Sequence, residues 1–371
     1  MKTDSYMPVK IISGRGCVKE NSHIFSRFGK RCLIVTGGAS AEKCGALSDC
    51  VSALKKEKIE YDIFNKIEPN PKTSTCFAAG VKARETGAEF IVGIGGGSPM
   101  DASKAVAIYA ACPEICEEDI YLRNVPSKAL PVVLIGTTSG TGSEVTGVSV
   151  LSISSSGKKK SISGEDCYAK VSFCDYGYTL NIPEDITMST ALDAFAHAAE
   201  SILADTSNEI NLLYAEKAVS LLKDYILSLG SGVLPSEKER ETLYTASIFA
   251  GLALNVTGTC FPHTLGYYLT EKYNVPHGKA CAAFMPELFI RAKKYCPEKL
   301  GTVEKILGVS AEELIKIIGK ALCFDMKIEE AEAESACASL KGEIKNFIRS
   351  PGGFTADDAK GAFMSFCSYF I

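Results

Sequence analysis

At 371 residues, with 46% apolar and 23% charged side chains, the chain is long enough for one large domain or two ordinary ones around filled cores. A net charge of −4 and a single basic run, Lys158-Lys159-Lys160, exclude a nucleic-acid binder and a general attraction to anionic membrane. No stretch of about 18 uninterrupted apolar residues occurs, so nothing is expected to span a membrane.

In chain order, the first half alternates short apolar runs with helical patterns. Residues 1–6 lack the apolar core of a signal peptide. Residues 31–36 predict a buried strand ending at Gly37-Gly38, then a helix from about 40 to 58. A second strand follows at 61–64, and a helix at 73–86 stops at Gly87. Residues 90–94 form a third strand running into Gly95-Gly96-Gly97, and 131–135 a fourth running into Gly136-Thr137-Thr138. Continuous Val/Ile/Leu strands alternating with helices predict a parallel, Rossmann-like sheet covered on both faces. Residues 148–162, with a Ser-Ser-Gly turn, predict a hairpin. Beyond Pro183 the pattern is helical throughout, with capping-box signatures at Ser236-x-x-Glu239 and Ser310-x-x-Glu313. The expected architecture is therefore an α/β dinucleotide-binding domain over 1–182 and an all-α domain over 183–371, the boundary falling near 181–186. The 15 cysteines are scattered without a C-x-x-C pair, the pattern of reduced, buried thiols in a cytoplasmic protein. Cys260 and Cys281 are read as packing residues.

The segment Gly95-Gly96-Gly97-Ser98-Pro99-Met100-Asp101 carries phosphate-binding chemistry. Three glycines let backbone approach a ligand, Ser98 is a suitable N-cap, Pro99 fits the first helical position, and Asp101 stands where a capping-box acid belongs. A helix opening at that point directs free N–H groups toward a pyrophosphate. It is neither the G-x-G-x-x-G fingerprint nor a Walker A loop. Gly37-Gly38-Ala39-Ser40 and Thr137–Glu144 end on the same side of a parallel sheet, where ligands of such sheets bind.

Three of the four histidines fall in a second constellation: Asp193-Ala-Phe-Ala-His197, Phe261-Pro-His263 and Pro276-His277-Gly278. Asp193 and His197 stand four apart on one helix face, and His263 and His277 lie 14 residues apart. Three imidazoles and one carboxylate suit Fe(II) or Zn(II), with a further position left for substrate.

In order, these segments resemble the iron-containing (group III, metal-dependent) alcohol dehydrogenase family. The resemblance runs from Gly14-Arg15-Gly16 to at least Pro286, carried by GGGSPMDASKA, TTSGTGSEVT, the DAFAHAAES helix and the closing PHG. It implies a dehydroquinate synthase-like architecture. Asp193, His197, His263 and His277 match the metal ligands. Gly95, Gly96, Gly97, Ser98 and Asp101 match the diphosphate loop, and Thr137, Thr138 and Ser143 the second cofactor loop. One of Lys159 and Lys160, with Lys159 preferred, corresponds to a lysine near the cofactor. It further implies a homodimer, a small alcohol or aldehyde as substrate, and a site in the cleft between the two domains. Many members carry a second histidine four residues after the first of the closing pair. Here that position is Tyr267, so a proton relay passes to Tyr267, to water or to the ribose. NAD-preferring members often place Asp after the first strand. Gly37, Gly38 and Ser40 stand here instead and leave room for a 2′-phosphate, which favours NADP(H) over NAD(H). Phe249, Phe261, Tyr267 and Tyr268 are the candidates for an apolar lining.

Three other readings remain. Glycerol dehydrogenase-like polyol oxidation is disfavoured because both positions of the Asp193/His197 pair hold ligand-type residues. Dehydroquinate synthase-like elimination chemistry needs several cations, and the closing segments offer Lys272 and Lys279 but no arginine. A non-catalytic nucleotide-binding protein would be marked by an incomplete ligand set.

Overall fold

The computed structural model describes residues 5–122, 128–324, 326–338, 340, 342 and 344–369. Tyr6–Ile182 forms one compact unit, and the chain from Pro183 onward forms another, which also takes Ser5.

The first unit runs β1 (Lys10–Ser13), α1 (Cys17–Glu20), β2 (Arg31–Thr36), α2 (Ser40–Lys43), α3 (Ala46–Lys56), β3 (Glu60–Phe64), α4 (Thr73–Glu85), β4 (Phe90–Gly95) and α5 (Gly97–Ala111). It continues with β5 (Val132–Gly136), β6 (Val148–Ser152), β7 (Lys159–Ser163) and β8 (Val171–Cys174). Six strands make a parallel sheet in the order β1-β8-β5-β4-β2-β3, and β6 and β7 form the antiparallel hairpin. The period of two explains why the central strands are apolar throughout. Leu33, Val35, Ile91 and Leu134 join one core with Ala79 of α4 and Ala105 of α5. Their neighbours Cys32, Ile34, Val92, Ile94 and Val133 join the opposite core with Leu54 of α3 and Val18 of α1.

The sheet thus has the expected parallel α/β form, with two strands more than the apolar runs foretell. β1 and β8 are only four residues each, too short for periodicity to show, and they pair with each other from Lys10↔Val171 to Ser13↔Cys174. The helix expected over 40–58 is two helices. Gly45 takes a left-handed conformation (φ 89°) that ends α2 and opens α3.

The strand order creates a switch point. From β2 the chain moves outward to β3, then returns to lay β4 on the other side of β2. The crevice beyond the carboxyl ends of β2 and β4 is where an open α/β sheet receives its ligand.

The second unit is all-helical: α6 (Glu184–Leu203), α7 (Glu209–Leu227), α8 (Glu237–Thr257), α9 (Phe261–Tyr273), α10 (His277–Ala282) and α11 (Met285–Tyr295). The chain closes with α12 (Pro297–Leu307), α13 (Ala311–Leu322), α14 (Glu330–Ala338), α15 (Lys345–Arg349) and α16 (Ala356–Ser365). Ser236 and Glu239 form the reciprocal capping box read from the sequence, and Ser310 accepts from the Glu313 N–H at the head of α13. Helix α6 is buried along almost its whole length, including Asp193, His197 and Glu200, so its polar side chains must find partners inside the unit. No single helix among the described residues is long and apolar enough to cross a membrane.

Candidate functional site

Asp193, His197 and Glu200 occupy successive turns of α6 and share one face. Helix α9 brings His263 to that face from its first turn, and α10 brings His277 from its first position. Two glycines allow these helices to close in. A Cβ on Gly278 would lie 1.7 Å from the Ser189 carbonyl oxygen and 2.9 Å from Asp193 Cβ, so α10 seats on α6 only because that atom is missing. A Cβ on Gly266 would lie 3.0 Å from the backbone at Ala280–Cys281, which sets α9 against α10 in the same way.

The four residues converge on one point. Asp193 Oδ1 lies 3.5 Å from His263 Nε2 and 3.7 Å from both His197 Nε2 and His277 Nε2. The His197 and His263 rings stack at 4.6 Å, and the His277 ring meets His263 edge-on at 5.5 Å. These separations exceed ordinary N–H···O hydrogen bonds of about 2.7–3.2 Å. They match the edge of a tetrahedral shell, since two donors bound at about 2.1 Å stand about 3.4 Å apart. Asp193 Oδ1 and His263 Nε2 are buried and make no hydrogen bond.

Glu200 explains why His263 Nε2 is bare. One Glu200 oxygen is 2.6 Å from His263 Nδ1, and the other accepts the Cys260 N–H at 2.6 Å, capping the start of α9. In the tautomer whose Nδ1–H donates to Glu200, Nε2 carries a lone pair that faces the lone pairs of Asp193 Oδ1. Only positive charge between them reconciles that contact. Without an ion between them, the electrostatics place that positive charge on the imidazoles. Burial alone would raise the Asp193 carboxyl, yet the imidazoles of His197, His277 and His263 hold it below the usual carboxylate range. Burial opposes charge on His263, but Cys281, Glu200 and Asp193 raise it well above an ordinary imidazole. For Glu200 burial outweighs the attraction of His263, and its carboxyl is pushed up. The donor set therefore fits a divalent metal.

Two residues beside this cluster escaped the sequence reading. Glu200 stands seven residues after Asp193, a helical spacing that was available as a signal. Cys281, read as packing, lies 3.7 Å and 3.8 Å from the two His277 ring nitrogens. Its sulfur and the donor atoms of Asp193, His263 and His277 all lie within 4.8 Å of one another. Of the four aromatics expected to line the pocket, Tyr267 meets the cluster, its ring stacked on His277 at 5.6 Å. Phe261 is core, stacked on Phe354 at 3.9 Å. Phe249 stacks on Tyr214, and the Tyr268 hydroxyl donates to Glu332.

The expected cofactor residues lie in the sheet unit and, apart from Lys159 of β7, stand at or follow the carboxyl ends of β2, β4 and β5. Gly95 has φ 150° and lies so close to Pro99 that a Cβ would come within 2.6 Å of its ring. The helix opens earlier than expected: Gly96 is the N-cap, α5 starts at Gly97, and no side chain caps it. Neither Ser98 nor Asp101 performs the capping expected of it. Ser98 instead accepts the Asn70 N–H at 3.4 Å. Asp101 accepts from the Ser143 hydroxyl and the Val150 N–H and pairs with Lys104, while the buried Lys104 ammonium donates to Ser143 at 2.9 Å. Gly96 and Gly97 admit the second loop, because their Cβ atoms would meet Thr138 at 3.0 Å and Thr141 at 2.7 Å. The Thr137 N–H donates to the Gly95 carbonyl at 2.9 Å, so the two loops are joined. After β2, Gly37 bridges to Lys66, and a Cβ there would lie 2.5 Å from the Ile67 carbonyl. Gly38 (φ 52°) faces open space, and Ser40 opens α2. Lys160 lies over the Tyr121 ring at 4.5 Å, while Lys159, its neighbour on β7, is half-buried.

A helical unit whose donors fit a metal and a parallel sheet with an uncapped helix at its switch point define a metal- and nucleotide-dependent enzyme. Residues 8–176 match the family described as iron-containing alcohol dehydrogenase, and 187–342 match the Fe-containing alcohol dehydrogenase family, C-terminal. The chain belongs to the iron-containing alcohol dehydrogenase family and is an NAD(P)-dependent oxidoreductase of the alcohol dehydrogenase class. A sulfoacetaldehyde reductase from Bilophila wadsworthia (strain 3_1_6) is 31% identical over 306 residues, 81% of this chain and 78% of that one. An iron-containing alcohol dehydrogenase from Thermotoga maritima superposes with TM-score 0.90 at 32% identity, covering 99% of this chain and 100% of that one. A sulfoacetaldehyde reductase from Bifidobacterium kashiwanohense, solved in complex with NAD+, superposes with TM-score 0.87 at 25% identity, covering 99% of each chain.

Proposed function

We infer that Asp193, His197, His263 and His277 hold one Fe(II) or Zn(II) ion and that the chain works as an NADP(H)-dependent reductase of small aldehydes. The observation that carries the metal assignment is the buried approach of Asp193 Oδ1 to His263 Nε2 at 3.5 Å, with His263 Nδ1 engaged by Glu200. When bound, the metal supplies a Lewis acid for the substrate oxygen and the nicotinamide supplies hydride. The chain's own residues do the positioning. Glu200 holds the His263 tautomer and ring plane, and Gly278 and Gly266 set the spacing of the donors. Gly95, Gly96, Gly97 and the uncapped N–H groups of α5 receive the diphosphate. Asp101 and Ser143 bond to each other beside that loop, and the Thr137 N–H joins the second loop to the Gly95 carbonyl. Lys159 is the lysine the family resemblance assigns to the cofactor. A homodimer belongs to the same reading, and sedimentation at working concentration tests it.

Tyr267, stacked on His277, is the proton relay candidate. Tyr267→Phe keeps the ring and removes the hydroxyl. If the phenol relays the proton, kcat falls about 10²-fold or more with metal content unchanged. If the ring alone matters, kcat holds and only Tyr267→Ala lowers it.

The NADP(H) preference is supported by the absence of a carboxylate at 37–40 and by the exposed Lys66 bridged to Gly37. Gly38→Asp places a carboxylate in open space at a φ that Asp tolerates. Its repulsion of a 2′-phosphate, on the order of 1–3 kcal/mol, should lower the NADPH-to-NADH ratio of kcat/KM about tenfold or more. The reading as a whole is tested by following NADPH and then NADH oxidation with a panel of short aldehydes. Faster NADPH oxidation supports it, and faster NADH oxidation overturns the cofactor assignment alone. No oxidation of either by metal-loaded protein overturns the reductase reading.

A further inference from the structure

Resting on the metal reading above, we propose that the Cys281 sulfur is an additional donor to the same ion, making the centre a mixed oxygen–nitrogen–sulfur site that selects Zn(II) over Fe(II). Cys281 sits one helical turn beyond His277 on α10, so both side chains project from one face. That turn is held in place by Gly266, whose missing Cβ lets α9 rest on the Ala280–Cys281 backbone.

The surroundings of the thiol differ from those of other buried cysteines. Cys260 directs its sulfur at the carbonyl oxygens of Glu200 and Arg349, and Cys112 at that of Lys128. The Cys281 sulfur, wholly buried, faces the ring nitrogens of His277 instead. The sulfur and the donor atoms of Asp193, His263 and His277 all lie within 4.8 Å of one another. Two independent atoms point into the same space, because Asp193 Oδ1 and His263 Nε2 are buried there without a hydrogen bond. Asp193, His263 and His277 are thus shared by two groupings, one with Cys281 and one with His197, whose Nε2 lies 3.7 Å from Asp193 Oδ1. The sulfur binds as thiolate, its proton released to solvent. A thiolate beside three imidazoles shifts the preference toward the softer borderline ion.

Cobalt(II) loaded into the full-length protein reports the donors directly. The expected result is one Co(II) per chain, visible d–d bands, and a near-ultraviolet sulfur-to-cobalt charge-transfer band. That band is lost in Cys281→Ser and Cys281→Ala, while the d–d bands persist. Either variant suffices if the other does not fold, and the unsubstituted protein's own spectrum is already decisive. Bound Co(II) with d–d bands but no charge-transfer band overturns the sulfur donor and leaves the metal site standing. So does a charge-transfer band that survives both substitutions. No binding of Co(II) at all overturns the sulfur donor together with the metal reading.

Discussion

Replacing His263 with alanine should abolish metal binding and turnover while leaving the fold intact. His263 Nε2 and Asp193 Oδ1 face each other at 3.5 Å in a buried space, and the imidazole is fixed from behind by Glu200. Without the ring, Asp193 has no fixed nitrogen opposite it, and the site cannot close around an ion. A Lewis acid at a carbonyl is worth several kcal/mol, so turnover should fall on the order of 10³-fold or more. The fold should survive because Glu200 keeps the Cys260 N–H at 2.6 Å. Its carboxyl, already pushed up by burial, takes a proton instead of remaining a bare charge. Metal analysis, turnover and thermal unfolding of the variant check this together. An active, metal-loaded His263→Ala protein would remove His263 from the donor set.

Gly278→Ala should cripple the enzyme without touching a donor atom. The added methyl would land 1.7 Å from the Ser189 carbonyl oxygen, which belongs to the backbone of α6 and cannot turn aside. Helix α10 must therefore move off α6 and carry His277 away from Asp193. A displacement near 1 Å costs about 10²-fold in rate, and overpacking of this kind costs about 1–3 kcal/mol of stability. Gly361→Ala is the control, since a Cβ there meets nothing within 4 Å and lies mid-helix in α16. That change should be neutral or stabilising by up to about 1 kcal/mol. Equal, small effects of the two substitutions would show that helix spacing does not govern the site.

Much of the architecture was legible because it rests on local patterns. Strands buried on both faces must be apolar at every position, and β2, β4 and β5 announce themselves that way. The hairpin of β6 and β7 and the cap at Ser236 are equally local. β1 and β8 are not, since four residues carry too little periodicity and their pairing joins segments about 160 residues apart. The start of α5 was misplaced for a different reason. Ser98-Pro99 carries strong capping propensity, yet Asp101 and Ser143 bond to each other, and Gly96 and Gly97 are shaped by Thr138 and Thr141 of the next loop. Tertiary contact overrode local preference there. At the donor cluster, scarcity of histidine made Asp193, His197, His263 and His277 conspicuous. Glu200 was overlooked because a glutamate inside a helix carries no signal until its burial is known. Cys281 reads as a packing residue because a chain with many thiols makes each one unremarkable.

The central claim is that the Asp193/His197/His263/His277 cluster supports turnover only with a divalent ion in place. The most direct test is to strip the purified protein with a chelator, verify by metal analysis that it is metal-free, and follow NADPH oxidation with a short aldehyde anaerobically. Turnover should vanish on stripping and return on adding one equivalent of Fe(II) or Zn(II) per chain. Undiminished turnover by protein shown to be metal-free would contradict the account.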